Sequence, residues 1–219
     1  MSSAASSNDN VEKRAQLQQM VASYQSKFPD VPTMTSQELV EAKKAKKTVL
    51  LVDVRTKEEQ DVSMIPGAVR WREDLDLGEN DDDDAIIVTY CTVGYRSGRE
   101  ARRLQQLHPE WKGRIYNLDG ILAYTHVVDA PALVTTTGKR SLTSASGTRS
   151  SSLEATATDR VHTYGPAWNY ANPKYRAVWF ESHNYLGKAI QTVFFSLWRF
   201  CQHYFCGWVG RKAVSRGRP

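Results

Sequence analysis

The sequence predicts an α/β fold built on a parallel sheet, and three observations carry that prediction. Two uninterrupted aliphatic runs, Thr48–Val54 and Ala85–Tyr90, read as strands buried on both faces. A third strand, Arg114–Leu118, follows a helical pattern and precedes another. Strand and helix therefore alternate, the order that places helices on both sides of a parallel sheet. With 41% apolar residues in 219, the chain has enough material for a real core.

Taken in order, residues 1–10 are Ser-rich and lack an apolar stretch, so they are expected to be a disordered N-terminus rather than a secretory signal. Val11, Leu17, Val21 and Tyr24 fall near helical spacing, which predicts a helix over 11–28 that Pro32 stops. Thr35 and Glu38 form a capping-box pattern that opens a second helix, running to about Lys47. After the strand at 48–54, Pro66-Gly67 signals a turn. Residues 73–84 are acidic and end in four aspartates, which reads as an exposed loop. Ser97–Leu107 is expected to be a helix with Ala101, Leu104 and Leu107 facing inward, and Gly120–Tyr124 begins another.

Residues 135–159 are rich in Ser, Thr, Ala and Gly, and cannot bury enough surface to offset their chain entropy, so they read as a disordered linker or insertion. The following segment, 160–184, opens with Val161-His-Thr-Tyr-Gly-Pro-Ala-Trp-Asn-Tyr170 and is too aromatic for a linker. It is expected to dock on the domain. Within 185–219, Ile190, Val193, Phe194, Leu197, Trp198, Cys201, Tyr204, Phe205 and Trp208 share one helical face, and Arg211, Lys212, Arg216 and Arg218 follow. An amphipathic aromatic helix beside a basic tail can lie on an anionic membrane, or pack on protein. Charge follows the same division. Residues 1–137 carry 17 basic and 21 acidic side chains, residues 138–219 carry 12 and 3. The basic balance thus belongs to the C-terminal third. Charge alone is a poor argument for nucleic-acid binding, and none is expected. Three cysteines, Cys91, Cys201 and Cys206, argue against a disulfide framework and for a reducing, cytoplasmic setting, without excluding an organelle. No nucleotide or metal motif is present, and no cofactor is expected. His162 and His183 read as surface or packing residues.

The chemistry concentrates at Cys91. It leaves the carboxyl end of a buried strand, where ligands of parallel sheets bind. The connection to the next helix is Cys91-Thr92-Val93-Gly94-Tyr95-Arg96-Ser97. Gly94 permits a tight curl, the loop and helix start offer N–H groups, and Arg96 brings a fixed cation. Each favours thiolate over thiol, and the thiolate is the nucleophile. The plainer alternative is an inert cysteine at a strand end.

The pattern Cys91-x-x-Gly94-x-Arg96-Ser97 resembles the active-site loop of rhodanese sulfurtransferases. Leu51-Val-Asp53-Val-Arg55, Ile65-Pro-Gly-Ala68 and Tyr116-Asn-Leu-Asp-Gly120-Ile-Leu-Ala-Tyr124 resemble further motifs of that family, in its order, over residues 31–125. The resemblance implies a single-domain rhodanese: a five-stranded parallel sheet with helices on both faces, here over 11–134 with its N-terminal helix. It further implies that Cys91 takes a sulfane sulfur as a persulfide, that Thr92, Val93, Gly94, Tyr95, Arg96 and Ser97 form the substrate-binding loop, and that Asp53 and Arg55 brace it or form a structural ion pair. Thiosulfate or a persulfide carrier would donate and a thiol would accept. Three positions depart from the family pattern: Met64 for His, Asp119 for Gly and Tyr124 for Trp. Thr92 and Val93 also leave Cys91 without a basic neighbour, which disfavours a small dianion. The cell-cycle phosphatases share this fold, but their loop has five residues between Cys and Arg, and here there are four. A non-catalytic module serving as redox sensor or membrane or protein scaffold is the remaining alternative.

Overall fold

The computed structural model describes residues 2–72, 84–135 and 155–180. Residues up to Trp179 form one compact unit, and those from Phe180 onward a second, of which only Phe180 is described. The acidic stretch at 73–83, most of the Ser/Thr-rich run, His183, Cys201, Cys206 and the amphipathic tail lie outside the described residues.

Helix α1 (Ser2–Gln25) begins well before residue 11, so the expectation of disorder over 1–10 is corrected for residues 2–10. Residues 2–25 contain neither Pro nor Gly, and nothing in them interrupts a helix. Leu17 and Val21 are buried and Tyr24 is partly buried, as the spacing indicates, but Val11 is 69% exposed, which corrects the first residue of that face. Strand β1 (Thr33–Met34) follows. Helix α2 (Ser36–Lys44) carries both halves of the expected capping box: Glu38 N–H donates to Thr35 Oγ1 at 3.2 Å and Thr35 N–H to Glu38 Oε2 at 2.7 Å. It stops before Lys46, whose φ of 58° is not helical. After β2 (Val49–Asp53) a short helix, α3 (Lys57–Val62), is opened by a second capping box, Thr56 with Glu59. Strand β3 (Val69–Arg70), strand β4 (Ile86–Tyr90), helix α4 (Tyr95–Leu107), strand β5 (Ile115–Leu118) and helix α5 (Ile121–Tyr124) complete the domain.

The sheet order is β1-β5-β4-β2-β3, every pairing parallel. Alternation along β4 sends Ile86, Val88 and Tyr90 into a core shared with α1, α2 and α5, and Ile87 into one shared with Phe28 and α4. Both faces are therefore covered, as an all-parallel sheet requires. Leu107 departs from expectation. It ends α4 and is 58% exposed, while Trp111 from the next turn fills the core beside Ala101 and Leu104.

The described margins of the Ser/Thr-rich run are structured. Strands β6 (Val134–Thr135) and β7 (Thr156–Ala157) pair antiparallel, which corrects the disorder expected of 135–159 at both margins. Met64 and Val134 exchange backbone hydrogen bonds, and Thr135 Oγ1 donates to Asp61 O, so this hairpin base is stitched to the end of α3. Strands β8 (Arg160–His162) and β9 (Arg176–Val178) then pair parallel. Val161, Ala171 and Tyr175 are buried in the core that holds α1 and α5.

Candidate active site

Cys91 directly follows β4, at the carboxyl end of a central strand. Its carbonyl accepts from Ile121 N–H at 2.9 Å and the Thr92 carbonyl from Leu122 N–H at 3.3 Å, so the first turn of α5 holds the loop from below. Gly120 makes this approach possible. Its φ is +107°, and a Cβ there would lie 2.5 Å from the Thr92 carbonyl oxygen. Gly94, at φ +88°, turns the loop into α4. The backbone N–H groups of Thr92, Val93, Gly94, Tyr95, Arg96 and Ser97 donate to no acceptor among the described residues. Six donors thus follow one another around the turn at a helix start.

The thiol is deeper than a mouth-borne cysteine would be. Cys91 is 1% exposed, and Thr92, Val93 and Gly94 are buried with it. The docking of the loop on α5 accounts for this. Tyr95 is the exposed member, its ring tilted against Tyr24 in the last turn of α1 and Phe28 just beyond it.

Arg96 does not stand as a free cation. Its two terminal nitrogens donate to the two oxygens of Glu59, at 2.7 and 2.8 Å, and Nη2 also reaches Thr92 Oγ1 at 3.2 Å. Glu59 meanwhile accepts Thr56 N–H in the α3 capping box and lies 3.2 Å from His162 Nδ1. Burial pushes this carboxyl up, but the hydrogen bonds from His162 and Arg96 outweigh it and hold the group well below the usual carboxylate range. Tyr164 adds its hydroxyl 3.5 Å from Thr92 Oγ1 and its ring 5.6 Å from the Arg96 guanidinium, and Trp168 packs edge-on against it. The sequence reading missed Glu59, His162 and Tyr164. His162 is buried, the packing alternative of its reading rather than the surface one, and it also makes polar contact with Glu59. The Thr56-x-x-Glu59 spacing was the available signal for Glu59.

Asp53 and Arg55 form a fully buried ion pair at 2.7 Å, with Gln60 donating to both of their backbone carbonyls and the Tyr90 hydroxyl accepting from Ile65 N–H. They brace the ends of β2 and β4, and neither makes a hydrogen bond to the Cys91 side chain. Asp119 accepts from both the backbone N–H and the hydroxyl of Ser36, tying the start of α2 to the turn before α5. Burial raises its carboxyl to about 6 against those two hydrogen bonds. Among the described residues no cluster of His, Cys, Asp or Glu could hold a metal, and no helix is long and apolar enough to cross a membrane.

The structure is a parallel α/β domain that presents a free cysteine from a strand-to-helix loop. Residues 35–123 match the model of the rhodanese-like domain. No curated protein matches the chain. One solved structure that it resembles is a protein of unknown function from Rhodopseudomonas palustris CGA009, described as a possible tyrosine phosphatase. The two are 20% identical over 48% of this chain and 83% of that one, with a TM-score of 0.34, and nothing about activity follows from it.

Proposed function

We propose that the protein is a sulfurtransferase that carries a sulfane sulfur on Cys91. The observation that carries this reading is the succession of six unpaired N–H donors, Thr92 to Ser97, around a free cysteine at the carboxyl end of β4. In the first step the Cys91 thiolate attacks the outer sulfur of a persulfide R–S–SH. A bond forms between Cys91 Sγ and that outer sulfur, the donor's S–S bond breaks, and RS⁻ leaves. An acceptor thiolate then attacks the outer sulfur of Cys91–S–SH and releases the Cys91 thiolate. One hard transfer becomes two easier ones. The loop N–H groups would hold the outer sulfur as it carries charge.

Glu59 neutralises Arg96, and Thr92 and Val93 add no charge. This supports a persulfide on a carrier over the thiosulfate dianion as donor. At equal concentration a small persulfide should load Cys91 faster than thiosulfate, and the reverse order would sink the donor preference.

The test of the whole reading is intact mass after exposure to either donor, beside Cys91→Ser. A cyanide-labile gain of one sulfur on the unsubstituted protein alone is expected, and no gain with either donor would overturn it. The depth of Cys91 favours, as a second reading, a non-catalytic scaffold rather than a redox sensor, whose thiol must meet the oxidant, and the scaffold predicts no sulfur loading. For the basic tail over 185–219 we propose contact with an anionic membrane surface in a cytoplasmic setting. Equal sedimentation with anionic vesicles, with and without those residues, would refute it.

A further inference from the structure

Strand β5 alternates its side chains across the sheet, which turns Asn117 toward α4. Asn117 is 1% exposed. Its Nδ2 donates to the Gly94 carbonyl at 2.9 Å. A carbonyl can only accept, so this contact decides which end of the amide faces which way. Oδ1 is thereby presented to Ser97 Oγ, 2.7 Å away. An amide oxygen also only accepts, so Ser97 must donate to it. Serine has a single hydroxyl proton. The Ser97 oxygen therefore meets Cys91 Sγ, at 3.5 Å, with a lone pair rather than a proton.

We propose that Asn117 is a positioning residue that acts through Ser97 to place a hydrogen-bond acceptor, not a donor, against the Cys91 sulfur. A Cys91 thiol can donate to that oxygen, whereas a thiolate faces it unfavourably. Turning the Ser97 proton to sulfur would leave Asn117 Oδ1 buried with no donor among the described residues. That loss exceeds what a long contact to sulfur returns. Once a sulfur is loaded, Sγ becomes the inner, uncharged atom of the persulfide, and the negative charge sits one atom farther out. The relay thus opposes the empty thiolate and not the loaded form, which tilts Cys91 toward holding sulfur. That last consequence rests on the sulfurtransferase reading; the relay itself does not.

The experiment is a pH titration of thiolate ultraviolet absorbance on the full chain, on Ser97→Ala and on Asn117→Leu. Each is recorded as a difference from the same protein bearing Cys91→Ala. The titration needs no reagent to reach the sulfur. Ser97→Ala should lower the pH midpoint by about half to one unit, the size of one hydrogen bond. Asn117→Leu frees the Ser97 proton to turn to sulfur and should lower the midpoint too. If Asn117 were merely structural, its substitution would lower the melting temperature and leave the midpoint in place. A higher midpoint in Ser97→Ala would mean that Ser97 donates to sulfur, and an unchanged one that the sulfur ignores it. Either result overturns the proposal. Should Asn117→Leu fail to fold, Ser97→Ala, which removes one oxygen, still decides the sign. No sulfur donor is present, so a protein that refuses sulfur would sink the function proposed above and leave this relay standing.

Discussion

Glu59 is where the chemistry of single side chains concentrates. One carboxylate closes the capping box of α3, grips Arg96 with both oxygens and faces His162. Glu59→Gln removes the charge that Arg96 and its surroundings are built around. We expect a loss of about 1–3 kcal/mol at neutral pH, discounted for the partial exposure of Arg96, by urea denaturation. The folded carboxyl titrates below its unfolded value, so its stabilisation is present above the ordinary glutamate range and fades as pH falls. The deficit of Glu59→Gln should therefore shrink in acid. Asp119 has the opposite sign. Its folded value, about 6, lies above the unfolded value, so its contribution is fully present below about pH 4 and is lost as pH rises through 6. Asp119→Asn should flatten that part of the stability–pH curve, and an unchanged slope between pH 4 and 7 would refute the assignment. Cys91, Gly94 and Arg96 were legible in the sequence because their geometry is local, four residues of loop between strand and helix. The partner of Arg96 was not, since Glu59 lies 37 residues away and pairing at that range is decided by the sheet order.

Elements were legible in proportion to how much burial their sequence had to encode. Strands β2 and β4 lie at the centre of the sheet and needed aliphatic side chains on both faces, which left an unbroken run to read. The edge strands β1 and β3 have two residues each, too few to show any period, and α3 has six. The turn from β5 into α5 is set by backbone approach rather than by hydrophobic pattern. Gly120→Ala would place a methyl group 2.5 Å from the Thr92 carbonyl oxygen at a positive φ. We expect it to cost about 2–4 kcal/mol and to impair sulfur loading in the mass assay. Gly113 serves as the control, with φ +87° and nothing within 4 Å of its added Cβ. Gly113→Ala should cost only about 1 kcal/mol and leave loading intact. Equal effects of the two would mean that the contact of Gly120 with the loop is unimportant.

At the level of the whole molecule, the family match ends at residue 123 but the core does not. Val161, Ala171 and Tyr175 are buried in it, and the Glu59 cluster takes His162 from the same segment. That continuity was legible only as an aromatic composition too dense for a linker. The hairpin base β6–β7 holds the two ends of the Ser/Thr-rich run side by side. Replacing 136–155 with Asn-Gly should therefore keep the melting temperature within a few degrees, because closing a shorter loop costs less entropy and the turn type suits a hairpin. A collapse in melting temperature would mean that the run contributes to the fold. The depth of Cys91 has a bearing on time as well as on chemistry. A reagent in bulk solvent meets this sulfur only during the fraction of time that the loop stands open, so every reaction of Cys91 with solvent species is slowed by that fraction. If Cys91 carries sulfur as proposed above, the lifetime of the loaded protein would be set by the opening of the loop rather than by the reactivity of the persulfide.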